Sequence, residues 1–321
     1  MNDIKNLTEH LKTKGKTHTW RELAEMYNIY DELTNSRRDN KRKSDYVRRL
    51  FESINRNKSV KDLTYKTPII KEVNTENGIH IVLGCMHVPF HNKVLLSKLL
   101  KLIEDHKDKI KGFHIIGDFL EMQSLSPHSP NTVDLSGLTL GKEYKAGNEV
   151  LDMIERVLPA NVQKTYLYGN HEHWYHRYIA DIRNYKTADA ISSPEQALNL
   201  DKRGFTVKTD WREDYITIGK YQLLHGVFCT QNPSKAHIDK LKNSCIFAHT
   251  HRVGQHYDIN LHGVNIGCMI DIKSEAFNYL SRIEKNNWKN GFGIINVNDN
   301  YSHTDLILCE DNGFFYAGKR Y

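Results

Sequence analysis

The stretch IVLGCMHVPFHN (residues 81–92) begins as an apolar run and ends in Gly84, Cys85 and His87. A short apolar run that stops at a small residue is typical of a buried strand. Because ligands in open α/β folds collect at the carboxyl ends of strands, the stretch predicts a strand that delivers Cys85 and His87 to a site. Taken alone, it leaves three roles open for Cys85: metal ligand, nucleophile or buried thiol.

Four more apolar runs end in polar residues of the same kind. Asp118 follows Gly117 after FHII, Asn170, His171 and Glu172 follow Gly169 after TYLY, His225 follows YQLL, and His249 and His251 follow CIF. Imidazole, carboxylate, amide oxygen and thiolate together suit transition metals. Each strand end alone is a weak signal, but five in one chain predict a shared metal site. The glycines before Asp118 and Asn170 are expected to let the chain turn sharply.

The segments between these strands have helical periodicity. Residues 93–106, 141–158, those after Asn170 and 234–242 are helix candidates, whereas 255–268 and 292–309 have the pattern of strands. Alternating strands and helices followed by a run of strands predict an α/β sandwich for residues 79–321. Residues 63–78 contain a proline, several turn-forming residues and no helical period, which indicates a linker.

Residues 1–62 are predicted to form a separate helical, basic region. Thr19 and Glu22 have capping-box spacing for one helix, and Ser44 is expected to cap another. Residues 36–61 contain ten Lys or Arg and three acidic residues, a net charge of +7 in a chain whose formal net charge is +6. This favours a helix-turn-helix or winged-helix module that binds nucleic acid; the alternative is a helical subdomain with a solvated basic face. The expected nucleic-acid contacts are Arg37, Arg38, Lys41, Arg42, Lys43, Arg48 and Arg49.

Composition narrows the class of protein. Hydrophobic residues make up 39% of the chain and charged residues 26%, as in soluble globular proteins. No apolar run reaches the roughly 18 residues that span a bilayer, and the polar N-terminus lacks a signal-peptide core. The five cysteines include no CxxC pair and are odd in number, which favours a reducing compartment over a disulfide scaffold. We therefore expect a cytoplasmic protein without a membrane partner.

The order of the strand-end motifs resembles that of the calcineurin-like metallophosphoesterase superfamily, whose pattern is DxH, GDxxD, GNH(D/E), H and GHxH. Here the motifs read CMH, GDFLE, GNHE, HG and AHTH, within about residues 79–298. Further motifs, among them HVPFH and a late NWKNGFGIINV, resemble those of a narrower group of phage and bacterial phosphoesterases. Some members of that group carry an N-terminal DNA-binding-like region. The resemblance implies a four-layer αββα sandwich and, for a phage-encoded chain, a location in the host cytoplasm.

The resemblance also implies two divalent metal ions, of manganese, zinc or iron, that activate a water for phosphate ester hydrolysis. Asp118 would bridge both ions. Cys85, His87 and His251 would bind the first ion, and Asn170, His225 and His249 the second. His171 would contact the substrate phosphate or protonate the leaving oxygen, while Glu121 and Glu172 would support these residues, Glu172 by holding His171 or a neighbouring loop. A metal-activated water argues against Cys85 as the nucleophile.

Two positions depart from the pattern of the superfamily. Ala248 replaces the usual glycine of GHxH, which matters if the position needs a positive φ. Cys85 stands where the superfamily has an aspartate. A thiolate ligand there would favour zinc or iron over manganese or magnesium. A non-ligating thiol would leave His87, Asp118 and His251 to hold the first metal weakly, and a plain core thiol would indicate a degraded enzyme.

The motifs do not distinguish phosphodiester from phosphomonoester substrates. The basic N-terminal region favours a phosphodiesterase, a nuclease acting on DNA or RNA. One alternative is a phosphomonoesterase acting on phosphoproteins or nucleotides, and another is a nucleic-acid-binding protein with an inactive hydrolase scaffold. Near the motifs, Arg177 either reaches a substrate phosphate or lies on a solvated helix face, Trp174 and Tyr178 are expected to pack, and His128 is a candidate substrate contact.

Overall fold

The computed structural model describes most of the chain: residues 2–13, 18–19, 22–23, 76–127, 137–181, 184, 190–277, 284–299 and 301–321. The chain divides into two units, residues 1–72 and 73–321. The seven predicted nucleic-acid contacts between residues 37 and 49, the predicted cap Ser44, and His128 lie outside the described residues. Within the described part, no helix is long and apolar enough to cross a membrane.

The described part of the first unit contains a helix, α1 (Asn2–Thr13). Leu7 and Leu11, one turn apart on this helix, are buried. The predicted capping box is also present, because the Thr19 N–H donates to Glu22 Oε2 (2.8 Å) and the Glu22 N–H donates to Thr19 Oγ1 (3.3 Å). Helix α1 was not predicted from the sequence, since most of its residues are polar and two leucines are too few to show a helical period.

A six-stranded sheet forms the centre of the second unit, in the order β11–β10–β1–β2–β3–β4. Strands β1 (Gly78–Leu83), β2 (Ile110–Ile116), β3 (Gln163–Leu167) and β4 (Phe205–Lys208) are parallel. The antiparallel hairpin β10 (Asn290–Asn298) and β11 (Tyr301–Cys309) extends the sheet beyond β1. Because Leu83 pairs with Ile115 and Ile116 with Leu167, the carboxyl ends of β1, β2 and β3 are adjacent.

A five-stranded sheet has the order β5–β6–β7–β9–β8. Its central strands β6 (Tyr221–Leu223), β7 (Ser244–Phe247) and β9 (Leu261–Ile266) are parallel. Strands β5 (Ile216–Ile218) and β8 (Val253–Asp258) pair antiparallel at the two edges. A small hairpin of β12 (Phe315–Tyr316) and β13 (Lys319–Arg320) lies near the C-terminus.

The helices of the second unit are α2 (Lys93–Asp105), α3 (Leu140–Val157), α4 (Asn170–Ala180), α5 (Pro194–Ala197) and α6 (Pro233–Leu241). Side-chain oxygens of Asn92, Thr139 and Asn232 cap α2, α3 and α6 by accepting backbone N–H groups of the first turn. Short 3-10 helices cover Lys107–Lys109, Gln123–Leu125, Glu275–Phe277 and Glu284–Asn287.

Alternation along the strands separates the layers. Ile81 of β1 packs in the core shared with α2 and α3, whereas its neighbour Val82 packs with Ile246 of β7 between the two sheets. On the far face of the five-stranded sheet, Ile238 of α6 packs against Phe247. The order helix, sheet, sheet, helix confirms the predicted αββα sandwich.

The strands and helices predicted near the motifs are present with ends shifted by a few residues. Strands β4 and β5 and helix α5 were not predicted. Each has only three or four residues, FTVK, ITI and PEQA, which is too short to show a period. The two-residue strands β12 and β13 were not predicted for the same reason.

Candidate metal centre

Loops after β1, β2, β3, β6 and β7 bring the predicted ligands together. Backbone hydrogen bonds tie these loops to one another: the Cys85 N–H donates to the Gly117 carbonyl (3.0 Å), the His87 N–H to the Asp118 carbonyl (2.9 Å) and the Ala248 N–H to the His225 carbonyl (3.0 Å). The ligand atoms therefore meet where the carboxyl ends of strands from both sheets face one another.

The first ligand group consists of Cys85, His87, Asp118 and His251, all buried, with ligand atoms within 4.8 Å of one another. The His87 Nδ1 lies 2.7 Å from Glu121 Oε2 and donates to it, so the lone pair of His87 is on Nε2. That Nε2 lies 3.0 Å from His251 Nε2 and 3.7 Å from Asp118 Oδ2. Two imidazole nitrogens and a carboxylate converge here, as a cation site requires.

The second ligand group consists of Asp118, Asn170, His225 and His249. The His225 Nδ1 lies 2.9 Å from the Ile116 carbonyl, which can only accept, so the His225 Nε2 carries the lone pair of the neutral ring. Asn170 Oδ1 and His249 Nδ1 each lie 3.1 Å from this Nε2, and Asp118 Oδ2 lies 3.2 Å from it. Nitrogen and oxygen atoms gathered around one point in this way fit a divalent metal ion.

Asp118 belongs to both groups through one oxygen. Its Oδ2 faces both His87 Nε2 and His225 Nε2, while its Oδ1 accepts the His171 backbone N–H at 3.0 Å. Burial opposes ionisation of Asp118, but the neighbouring His225 and His171 hold the pKa of this carboxyl well below its usual range. An ionised oxygen between two groups of ligands has the position of a bridging carboxylate.

The four histidines of the two groups differ in their electrostatics. Burial disfavours protonation of His87, but the hydrogen bond with Glu121 and the charges of Glu121, Asp118 and Glu172 together outweigh this and raise its pKa. Burial is likewise outweighed at His225, whose pKa rises because of Asp118. Burial together with neighbouring histidines lowers the pKa of His249 to about 3 and that of His251 well below its ordinary value. His249 and His251 are thus neutral at pH 7, the form that binds metals.

Cys85 is placed in the first group by the loop after β1. Its Sγ accepts the His249 backbone N–H at 3.1 Å, and the side chain is fully buried. Burial, followed by the charge of Asp118, raises the pKa of the Cys85 thiol well above its ordinary value. A thiolate therefore forms here only when a cation compensates its charge. The ligand role of Cys85 stays a prediction.

Glu172 is a buried clamp between two loops. Its carboxylate accepts the backbone N–H groups of Asp118 (3.0 Å), Leu120 (3.0 Å) and Gly169 (2.9 Å), and the Tyr166 hydroxyl (3.0 Å). Of the two predicted roles for Glu172, the contacts match the holding of a neighbouring loop. The His171 side chain is held instead by the Glu121 carbonyl, to which its Nδ1 donates at 2.5 Å.

Five of the seven candidate ligand positions share an unusual backbone conformation. Cys85, His87, Asp118, His249 and His251 have φ between 48° and 59°, the left-handed region that favours glycine. Such conformations cost about 1–3 kcal/mol each and persist where the surrounding structure enforces them, most often at functional sites. This backbone directs several side chains from different loops to one point.

The two glycines before Asp118 and Asn170 act differently. Gly117 has φ +95°, so the predicted sharp turn is present there. Gly169 has φ −98° and ψ −170°, an extended conformation that any residue adopts, so the turn prediction is wrong for Gly169. A side chain at Gly169 would overlap with Asp118 Oδ1, and glycine is therefore needed there for close approach.

Ala248 is accommodated by a glycine opposite it. Its φ is not positive, so alanine has no backbone penalty at this position. A Cβ on Gly84 would lie 2.6 Å from the Ala248 Cβ, closer than carbon atoms can pack. The ends of β1 and β7 thus provide space for one methyl group, which Ala248 fills.

Aromatic side chains surround both groups, and two of them were not predicted. The ring of Trp288 lies 4.4 Å from that of His251, and the ring of Trp211 lies 5.7 Å from that of His249. Trp174, expected to pack, is buried with its ring 4.0 Å from that of His171. Trp288 stands in the NWKNGFGIINV motif, which was a usable signal, whereas Trp211 follows β4, a strand too short to predict.

No family model matches the sequence, and no match was found among curated proteins. Among solved structures, the chain is similar to Vps29 from Cryptosporidium parvum, with 15% identity, a TM-score of 0.42 and coverage of 76% of this chain and 98% of that one. It is also similar to the zinc complex of Vps29 from Entamoeba histolytica, with 14% identity, a TM-score of 0.35 and coverage of 76% and 96%. A third is YfcE, a phosphoesterase from E. coli, with 14% identity, a TM-score of 0.34 and coverage of 71% and 98%.

Proposed function

We propose that this chain is a metal-dependent phosphoesterase of the calcineurin-like superfamily that hydrolyses a phosphodiester of DNA or RNA. The observation that carries the proposal is the position of Asp118, whose Oδ2 faces a nitrogen of each ligand group. A carboxylate shared by two ligand groups is the arrangement found in two-metal hydrolases.

The donor sets indicate which residues would hold the ions. Cys85, His87, Asp118 and His251 would bind one ion, and Asn170, His225, His249 and Asp118 the other. When bound, two divalent cations neutralise phosphate oxygens and lower the pKa of a bound water. The sulfur donor favours zinc or iron in the first group, whereas the nitrogen and oxygen donors of the second also suit manganese.

With two divalent ions bound, the centre would keep a net positive charge for a phosphate, because its side chains supply at most two negative charges, from Asp118 and a Cys85 thiolate. The imidazole and amide donors would bind as neutral groups. The nearby carboxylate of Glu121 is bonded to His87, and that of Glu172 to backbone N–H groups. An anionic substrate can therefore approach without meeting an unpaired carboxylate of these two residues.

His171 is the residue we assign to the leaving group or the substrate phosphate. Because its Nδ1 donates to the Glu121 carbonyl, Nε2 is the nitrogen left to face a substrate. Its ring is fixed between Trp174, at 4.0 Å, and His87, at 4.5 Å. With a second proton on Nε2, the fixed imidazolium ring can donate a hydrogen bond to a phosphate oxygen or give this proton to the leaving oxygen.

The nucleic-acid substrate is supported by the charge of residues 36–61, where ten basic and three acidic residues concentrate a net charge of +7. A segment of this kind attracts the phosphate backbone without reading its sequence. The phosphodiester preference follows from this second observation and not from the ligand groups, which suit both ester classes.

The test compares hydrolysis of p-nitrophenyl phosphate and bis(p-nitrophenyl) phosphate by the full chain supplied with manganese or zinc. We expect faster hydrolysis of the diester and a loss of roughly 100-fold or more in kcat for His171→Asn. Asp118→Asn should abolish activity, because it removes the charge shared by both groups. Equal activity of wild type and Asp118→Asn would instead support the inactive-scaffold alternative.

A further inference from the structure

A cavity of about 370 Å³ opens beside the second ligand group and has no role in the proposal above. It is lined by Asn170, His173, Trp174, Arg177, Asp210, Trp211 and Arg212. The volume lies within the range of small-ligand sites. Because Asn170 belongs to the second ligand group, a molecule in this cavity would adjoin a phosphate bound at the centre.

One wall of the cavity is flat, aromatic and cationic. The ring of Trp211 lies 5.7 Å from the His249 ring and 6.0 Å from the His225 ring. The guanidinium of Arg212 lies over the Trp211 ring, 4.9 Å from its centroid. Both the indole and the guanidinium plane are surfaces on which nucleobases stack.

A hydrogen-bonded turn between β4 and β5 holds this wall in place. Asp210 Oδ1 accepts the backbone N–H groups of Arg212 (3.0 Å) and Glu213 (3.3 Å), and Asp214 Oδ2 accepts that of Asp210 (2.9 Å). Asp210 Oδ1 is therefore engaged by its own turn, and Trp211 lies on a loop held by these hydrogen bonds.

The opposite wall belongs to α4. His173 and Arg177 lie four residues apart and so share a helix face. The Nδ1 of His173 is buried and, within the described part of the chain, lacks a hydrogen-bond partner. In the same part of the chain neither Arg177 nor Arg212 forms an ion pair, which leaves both guanidinium groups able to bind an anion.

We propose that this cavity binds the nucleotide unit next to the scissile phosphate, with its base on Trp211 and Arg212 and an anionic oxygen on Arg177. The inference rests on the proposed function and names its substrate class. Arg177 and Arg212 outnumber Asp210 in the lining, so a planar base and a phosphate match an aromatic cavity of net positive charge, whereas a phosphoserine side chain offers no planar group. The nucleotide is either free or the terminal unit of a strand.

The experiment measures binding without turnover. Two ligands are titrated calorimetrically into the full chain with manganese: the methylenephosphonate analogue of AMP and that of ribose 5-phosphate, in which a CH2 replaces the ester oxygen. They differ only in the base. We expect the AMP analogue to bind roughly tenfold or more tightly, the gain that base stacking provides. Trp211→Ala should remove this advantage, and Trp211→Phe, which keeps an aromatic face, should retain most of it.

Further variants separate stacking from a general loss of structure. Arg177→Gln should weaken both analogues several-fold, because both carry the anionic group that Arg177 would bind. Tyr301→Ala, which removes an exposed aromatic ring from β11, should change neither affinity. Equal affinities of the wild type for the two analogues would overturn the proposal. It would also be overturned if Trp211→Ala and Trp211→Phe each weakened the binding of the two analogues by the same factor.

The outcome for the nucleotide site is distinguishable from that for the proposed function. Hydrolysis of the two nitrophenyl esters with no preference between the analogues would leave the function standing and remove the nucleotide site. Tighter binding of the AMP analogue without hydrolysis of either ester would support the nucleotide site and contradict the proposed function. A single-stranded trinucleotide with the same terminal CH2 replacement identifies the source: tighter binding than the AMP analogue assigns strand ends, and equal binding assigns free nucleotides.

Discussion

Cys85 is the residue by which the proposed metal centre would differ most from one built only of nitrogen and oxygen donors. Its sulfur lies in a buried group that otherwise offers imidazole nitrogen and carboxylate oxygen. The thiol is strongly disfavoured as an anion there, because burial and Asp118 raise its pKa. A soft cation that binds sulfur firmly can offset this cost better than a hard one. Metal preference is therefore the property most sensitive to this residue.

Replacing Cys85 by aspartate should shift the metal content of the protein away from zinc. Aspartate tolerates the left-handed backbone at this position, where φ is 48°, better than most residues, so the fold should persist. We expect the zinc-over-manganese preference, measured by competition and elemental analysis, to fall by tenfold or more, an order-of-magnitude estimate from thiolate softness. Cys229→Ser, at an exposed cysteine, serves as the control. An unchanged preference would mean that Cys85 does not bind metal.

For single residues, the sequence predicted which side chains meet at the site better than it predicted their hydrogen-bond partners. Each of the seven ligand-type residues follows an apolar run, and strand ends on one side of a sheet must meet. The partners of Glu172 could not be predicted, since they are backbone N–H groups of two loops brought together only by folding. Trp211 was missed for a similar reason, because only the fold brings its loop next to His249.

Among the secondary structure elements, the loops after β2 and β3 depend on each other through Glu172. Three backbone N–H groups from these loops share its carboxylate. Removing the carboxylate would leave these buried donors without an acceptor, and each such donor costs about 1–3 kcal/mol. The proposed ligands Asp118 and Asn170 lie on these loops and would lose their fixed positions together.

Glu172→Ala should therefore destabilise the protein by about 3 kcal/mol or more and weaken metal binding as well. Urea unfolding in the presence of a chelator measures the first effect, and a metal titration the second. Glu149→Ala, at an exposed position on α3, gives the matched control. A Glu172→Ala protein as stable as the control would show that water or another group replaces the clamp.

Two buried histidines and a threonine form a chain of hydrogen bonds across β1, β2 and β3, between the two sheets. His80 Nδ1 lies 3.1 Å from His114 Nε2, and His114 Nδ1 lies 2.9 Å from Thr165 Oγ1. Burial lowers the pKa of both histidines from the ordinary value of 6.5. The folded chain keeps them neutral at a pH where the unfolded chain protonates them, so acid favours unfolding.

Stability should consequently fall as the pH drops below 6.5, by about 1.4 kcal/mol per pH unit for each such histidine. His114→Gln, which can still hydrogen-bond Thr165, should reduce this slope by about the share of one histidine. Urea unfolding between about pH 7 and about pH 5 measures it. Thr165→Val removes a hydrogen bond but no titrating group, so it should lower stability and keep the slope. An unchanged slope in His114→Gln would contradict the assignment.

The accuracy of element prediction followed element length. Helix α2, with 13 residues, and α3, with 18, show a full apolar stripe and were predicted. Strands β4 and β5 have four and three residues, and packing against neighbouring strands defines them rather than their own pattern. The turn that carries Trp211 lies between these two strands and was missed with them.

For the whole molecule, the net charge is unevenly distributed along the sequence. Residues 36–61 carry a net charge of +7, so the rest of the chain sums to about −1. We expect this segment to supply nucleic-acid affinity and the residues of the sandwich to supply chemistry. The alternation of strands and helices predicted the sandwich, and the residues at the strand ends predicted a shared site. It could not predict how far apart the two sheets lie, which depends on side-chain packing between them.

Replacing Lys41, Arg42 and Lys43 by glutamine should weaken DNA binding and reduce its dependence on salt. Each lost phosphate contact lowers the slope of log K against log salt concentration by about 0.7–0.9. Filter binding at several salt concentrations measures the slope. Neutralising the exposed lysines Lys101, Lys145 and Lys235 of the second unit is the matched control. Equal effects of the two triple variants would assign the affinity to overall charge.

The methyl-sized space between Gly84 and Ala248 links two distant parts of the sequence. Since both strand ends cannot carry a methyl group here, the two positions should co-vary among relatives. Alanine after β1 would require glycine after β7 and a small shift of Ile116, whose Cγ1 would lie 3.1 Å from the added Cβ. The alanine in AHTH is then one half of an exchange and not a sign of decay. A motif defined one position at a time misses such compensation, whereas a joint pattern over both strand ends would recognise chains of this type.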